Sequence, residues 1–153
     1  ICIHPGASVR ERRWSIEHFA IVADTLAAKG YPIVLTGTAN EQDLTQTVAQ
    51  RMQYAAIDLA GKTTLGTMAA LLKQARLLIC NDTGVSHLAT ALQTQSVVIF
   101  SNSDPFRWSP LDRQRHRVVV GQPYCNQAAT STTPAQVLQE AIDLLKQEVA
   151  YVS

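Results

Sequence analysis

The chain has 153 residues and a formal net charge of +1, with 46% apolar and 16% charged side chains. That length carries one ordinary domain with a hydrophobic core and is too short for two, and the balance is that of a globular chain, not a disordered one. Near-neutral charge leaves no basic footprint for nucleic acid, and no apolar run approaches the roughly 18 residues that a membrane-spanning helix requires.

The cysteines, Cys2, Cys80 and Cys125, are odd in number and form no CxxC pair. Two of them sit inside apolar runs, so they read as buried thiols of a reducing compartment rather than as zinc ligands. No signal peptide opens the chain. It starts within "ICIH", a strand already under way with no initiating Met, and therefore reads as a piece of a longer protein.

In chain order, "ICIH" (Ile1–His4) predicts a short strand followed by the loop "PGASVRERRW". "SIEHFAIVADTLAAKG" then places Ile16, Phe19, Val22, Ala23 and Leu26 on one helical face, with Ser15 as cap, His18 at N3 and Gly30 as stop. "PIVLTG" (Pro32–Gly37) predicts a strand, and "NEQDLTQTVAQRM" a helix capped by Asn40. "AIDLAG" (Ala56–Gly61) is a strand or the end of one. "TTLGTMAALLKQA" is a helix capped by Thr63 or Thr64. "RLLICN" is a strand, "GVSHLATALQ" a helix, "SVVIFS" (Ser96–Ser101) a strand and "RHRVVVG" a short one. "TPAQVLQEAIDLLKQEVA" closes the chain as an amphipathic helix over about 133–149, with Thr133 capping and Pro134 in the first turn.

Short, continuously apolar strands alternating with helices predict parallel pairing with helices on both faces. Right-handed crossovers then give an α/β fold, a doubly wound and mostly parallel sheet of the Rossmann type. Ligands bind such sheets beyond the carboxyl ends of the strands. The loops that gather there are "HPGASVRERRW", "TGTANE", "LAGKTT", "NDTG" and "SNSDPFRWSP".

At "NDTGVSH" a helix begins around Thr83 or Gly84, directly after a strand. Its free N–H groups and positive dipole end suit a phosphate. Gly84 lets an anion approach the backbone, Thr83 offers a hydroxyl, and His87 is one turn further in. Asp82 repels a diphosphate, and fits as a helix cap, as a ligand of a bridging divalent cation, or as an acceptor for a hydroxyl. Taken singly, Asp82 or Thr83 as an ordinary cap and His87 as an ordinary histidine are the plainer readings; their combination at a strand end points to an anion site. In "GASVRERRW" one arginine on a phosphate fits guanidinium geometry, while Arg10 and Arg13 individually read as a solvated basic turn. Glu41 stands where a carboxylate can accept both hydroxyls of a ribose, or serve as a first-turn glutamate. "AGKTT" lacks the spacing of a P-loop, and GxGxxG is absent, which excludes a nucleoside triphosphatase and leaves little for a nicotinamide dehydrogenase.

Together "HPGAS…RRW…FA.VAD.L", "IVLTGTANE", "DLAGKTTLGTMAALL", "NDTGVSHLATAL" and "SDPFRWSPL…HRVV" resemble the C-terminal half of family 9 glycosyltransferases, the ADP-heptose:lipopolysaccharide heptosyltransferase-like enzymes. The likeness runs from His4 to about Val120; "DTGxSHLA" after "DLAGKTxL" is its specific part. It implies a GT-B architecture in which this half binds a nucleotide-sugar donor, ADP-heptose by the resemblance alone. The other half would bind a lipopolysaccharide-type glycolipid acceptor. By matching position Asp82, Thr83, Gly84 and His87 would surround the diphosphate and sugar. Arg12, where many members carry Lys, would neutralise phosphate, Glu41 would hold the ribose, and Ser8 and Thr63 would line the donor pocket. Asp104, Arg107 and Trp108 lie on a facing loop and carry no assigned role. No tightly bound cofactor is implied, and a divalent cation on Asp82 stays open. The catalytic base would be an Asp of the absent N-terminal domain, so no catalytic residue is expected here. The implied setting is the cytoplasm, at the inner face of a bacterial inner membrane, with peripheral membrane contact open for the whole protein. The rival reading is a non-catalytic nucleotide-binding or regulatory module on the same fold; a flavodoxin-like receiver is disfavoured because no acidic pocket follows the first strand.

Overall fold

The structure, a computed structural model, describes residues 1–121 and 132–149. Cys125 lies outside the described residues. Six strands, β1 (Cys2–His4), β2 (Val34–Leu35), β3 (Ile57–Asp58), β4 (Leu78–Asn81), β5 (Ser96–Phe100) and β6 (His116–Val120), form one sheet in the order β3-β2-β1-β4-β5-β6. Every pairing is parallel. The helices are α1 (Ile16–Ala27), α2 (Gln42–Arg51), α3 (Leu65–Gln74), α4 (Gly84–Leu92), the short α5 (Pro105–Trp108) and α6 (Pro134–Val149).

The two-residue period of a strand divides the core. Ile3, Ile79, Val97 and Ile99 face α1, α2 and α6, where they meet Phe19, Leu26, Val48, Val137 and Leu144. Cys2, Leu78, Cys80, Val98 and Phe100 face the other way, onto Met68 and Leu72 of α3 and Ala89 of α4. Both cysteines are buried and free, as the apolar runs around them predict. Burial raises the pKa of each thiol, at Cys80 with help from the charge of Asp82, so neither is a ready nucleophile. The strand order is that of the expected doubly wound fold. From β1 the chain winds outward through β2 to β3 on one face, then returns through α3 to β4 on the other. The carboxyl ends of β1 and β4 therefore part at the centre of the sheet, which is the switch point where such folds take ligands.

Several local expectations change. Ser15 stands at the N-cap of α1, but its hydroxyl donates to Glu17 at 2.6 Å and caps no amide. Asn40 is not the cap of the second helix. A 3-10 turn (Ala39–Glu41) precedes α2, and Thr38 and Glu41 form the capping box there. Of the two candidates before α3, Thr64 caps, accepting from Thr67 N at 3.2 Å. β2 is shorter than Pro32–Gly37, although Thr36 N and Ile57 N still bond Ile3 O and Ile33 O at 2.9 Å each, so the ladder outlasts the regular strand. The loop "SDPFRW" hides α5, with Asp104 accepting from Phe106 N at 2.9 Å and Pro105 in its first turn. Thr133 caps α6 reciprocally with Gln136, as expected.

Candidate functional site

The corner after β4 is open. Thr83 is extended (φ −157°, ψ 171°) and turns the chain into α4, whose first residue is Gly84. The Thr83 carbonyl accepts from Ser86 N at 2.9 Å and from Ser86 Oγ at 2.7 Å, which fixes the first turn. The amides of Thr83, Gly84 and Val85 have no acceptor among the described residues. A Cβ built on Gly84 would meet nothing within 4 Å, and His87 is exposed and free of hydrogen bonds one turn on. Bare amides, the dipole of a nine-residue helix and an open approach are the features that suit an anion.

Asp82 corrects one expectation: it does not cap α4. It is 3% exposed, and its Oδ2 accepts from Arg12 Nη1 at 3.5 Å. Arg12 ends a 3-10 turn (Arg10–Arg12) in the loop after β1, so the pair joins the two central strands across their carboxyl ends. Among the described residues no group of three or more His, Cys, Asp or Glu side chains stands together to hold a metal. A cation on Asp82 would need most of its oxygens from a ligand.

Asn81, which the sequence places where an apolar strand gives way to the "NDTG" loop, holds this junction. It is fully buried. Its Oδ1 accepts from Trp14 N at 2.9 Å, and its Nδ2 donates to Pro5 O at 2.8 Å and Gly6 O at 3.3 Å. Both ends of the Pro5–Trp14 loop are thus tied to one side chain. Trp14 Nε1 donates in turn to Thr132 O at 2.9 Å, just before α6.

A second polar cluster lies beneath the same loop. Glu41 is 7% exposed, and its Oε2 accepts from Thr38 N at 2.8 Å and Thr38 Oγ1 at 3.0 Å. Arg13 does not belong to a solvated turn: its Nε donates to Ala7 O at 2.9 Å and its Nη2 lies 3.9 Å from Glu41 Oε1. His4, at the end of β1, sits with Nε2 3.9 Å from Glu41 Oε2 and Nδ1 3.1 Å from Thr36 Oγ1. Burial pushes the His4 pKa below its ordinary 6.5, against the opposing pull of the Glu41 charge. Gly6 passes directly over Glu41, and a Cβ there would fall 2.2 Å from Oε1. Glu41 thus performs the helix-start role already, through Oε2, while Oε1 carries no hydrogen bond.

Of the other candidates, Ser8 is exposed and Thr63 half-buried, and neither makes a hydrogen bond. Arg107 stacks on the Trp108 ring, 5.1 Å from its centroid. Sequence reasoning missed Asn81, His4 and Gly6, and placed Arg13 in a solvated turn. The usable signal was chemical: an asparagine ending a run as apolar as "LLIC" is buried, and a buried amide must be hydrogen-bonded.

Replacing Gly84 with alanine separates stability from binding. The methyl enters open space on a helical residue, so stability should stay level or rise by up to ~1 kcal/mol. The same methyl stands where an anion would approach, and affinity for a nucleoside diphosphate should drop about threefold or more. Thermal melts and calorimetric titration read the two separately.

An all-parallel six-stranded sheet in this order, with helices on both faces, is the architecture of one half of a GT-B glycosyltransferase. The family model of glycosyltransferase family 9 (heptosyltransferase) matches residues 1–147, and the chain belongs to that family. It is 30% identical to lipopolysaccharide heptosyltransferase 2 of Salmonella typhimurium over 94% of this chain and 46% of that protein. It is 34% identical to lipopolysaccharide heptosyltransferase 3 of Escherichia coli over 72% of this chain and 33% of that one. Among solved structures, the E. coli ADP-heptose lipopolysaccharide heptosyltransferase II superposes with a TM-score of 0.86 at 28% identity. The family 9 glycosyltransferase of Veillonella parvula does so with 0.86 at 29%. Each covers 96% of this chain, and the chain covers 46% of each. The chain thus spans between a third and a half of the relatives it matches. No helix among the described residues is long and apolar enough to cross a membrane.

Proposed function

We propose that this chain is the donor-binding half of a heptosyltransferase, taking the diphosphate of a nucleotide-sugar at the Thr83–Val85 corner. The observation that carries the reading is the set of unpartnered amides at the switch point, directly after the Asp82 that pairs with Arg12. Arg12 pairs with the buried carboxylate of Asp82, the residue just before that corner, so Asp82 orients the guanidinium and offsets none of the helix dipole through a cap bond. Transfer of the glycosyl group breaks its bond to the diphosphate, and negative charge builds on the leaving oxygens. Arg12, the Thr83–Val85 amides and His87 would stabilise that charge more in the transition state than in the bound donor. Glu41, with Oε1 left over, would take a ribose hydroxyl, and Ser8 and Thr63 would line the nucleoside pocket. The acceptor glycolipid and the base that activates its hydroxyl belong to the other half. ADP-heptose as donor is supported by the name of the superposing E. coli enzyme, and a place at the inner face of the bacterial inner membrane by a lipopolysaccharide-type acceptor.

Calorimetric titration with ADP, UDP and their sugar conjugates tests this. ADP should bind more tightly than UDP, the attached sugar should add affinity, and this chain alone should transfer no sugar. Indifference to base and sugar would favour a plain nucleotide-binding module, and glycosyl transfer by this chain would refute the division of labour.

A further inference from the structure

We propose that Asn81 is the positioning residue of the diphosphate subsite, acting through Arg12 without touching the ligand. The inference rests on the donor-binding reading above. Arg12 is carried by a ten-residue loop, Pro5 to Trp14, whose only short element is a 3-10 turn. A long arginine on such a loop loses rotamer and backbone freedom when it grips a phosphate, and that cost weakens binding unless it is met on folding. The Asn81 amide meets it. One side chain accepts from the amide at the loop's end and donates to both carbonyls at its start. Asn81 itself ends β4 in a four-residue parallel ladder with β5, so its position is set by the sheet.

The next residue, just past the end of β4, is Asp82, whose carboxylate holds the Arg12 guanidinium. Two consecutive residues thus fix the loop's backbone and its charged tip relative to the helix end that follows them. Replacement by aspartate is a selective test: the shape stays, the acceptor for Trp14 N stays, and the donor to Pro5 O and Gly6 O is lost. What remains is an oxygen facing two carbonyl oxygens, which pushes the loop's entry off the sheet.

The experiment compares ADP with adenosine, which lacks the phosphates, by calorimetric titration of the unsubstituted chain, Asn81→Asp, Arg12→Ala and the double variant. Asn81→Asp should lose about tenfold or more in ADP affinity, and clearly more than it loses in adenosine affinity. Arg12→Ala should cost much less in the Asn81→Asp background than alone, because the two act as one unit. Equal losses for both ligands would mark a general structural role and overturn the inference, and so would an unchanged ADP-to-adenosine ratio or additive losses. If the unsubstituted chain binds neither ligand, the donor-binding reading itself falls. Asn81→Ser serves where the aspartate does not fold. Hydrogen exchange on the unsubstituted, nucleotide-free chain needs no variant at all. The Trp14 amide should be protected like those of β4, and exchange as fast as at exposed Val9 would overturn the clamp.

Discussion

Replacing Arg12 with alanine is expected to weaken ADP binding by about tenfold to a hundredfold, the equivalent of one or two charge-assisted hydrogen bonds. Two effects add. The guanidinium that would meet the phosphate is removed, and Asp82, 3% exposed, is left with no cation beside an incoming anion. The fold should suffer less, because the Arg12 side chain is 32% exposed and the pair is partly screened; about 1 kcal/mol is the appropriate scale. Arg12→Lys keeps charge but not the planar fork, and should fall between wild type and alanine. The loss should shrink in high salt, since part of it is screened attraction. Calorimetry at two salt concentrations, with melting curves on the same samples, checks each clause; an alanine variant that binds ADP normally removes Arg12 from the site.

Replacing Gly6 with alanine should be the more damaging change to the fold. The new Cβ would lie 2.2 Å from Glu41 Oε1, 2.3 Å from its Cδ and 2.6 Å from Oε2. The carboxylate cannot swing aside freely, because Thr38 N and Oγ1 hold it from one side and Arg13 and His4 lie around it. Either the loop lifts off or Glu41 leaves its capping box. Overpacking costs typically 1–3 kcal/mol and a lost cap about 1, so a loss of about 2–4 kcal/mol is expected. Nucleoside binding should fall with it if Glu41 serves the ribose. Denaturant unfolding measures the first, and adenosine titration the second. Glu41→Ala in the Gly6→Ala background should restore part of the stability, since it removes the clash; additive losses would place the strain elsewhere.

The fold was legible because burial and periodicity coincide. The alternation through "LLIC" and "SVVIF" divides so evenly between the two faces that only a sheet covered on both sides satisfies it. Helix starts were less legible where two residues competed for one cap. Asn40 loses to Thr38 because only Thr38 has a glutamate three positions on to close the box. α5 escaped because four residues give no periodicity, and only Asp-Pro marks its start. The strand-to-helix corner could be read from "NDTG", where a strand meets a helix with a glycine between. What joins that corner to the loop after β1 could not be read, since Asn81 and Pro5 are 76 positions apart and nothing local to either announces the other. Arg13 was misjudged for the same reason: three arginines in one loop look alike until the backbone turns one of them inward.

The junction between β1 and β4 has a bearing on how the chain is handled in solution. Arg12 and Asp82 meet across 70 positions, so the pair that flanks the corner exists only in the folded chain. Any molecule that lodges there draws the equilibrium toward the native form by mass action, about 2.7 kcal/mol at a hundredfold excess over its dissociation constant. A melting screen of nucleotides would therefore rank them without an activity assay, and a cognate donor would double as a refolding aid for this half alone.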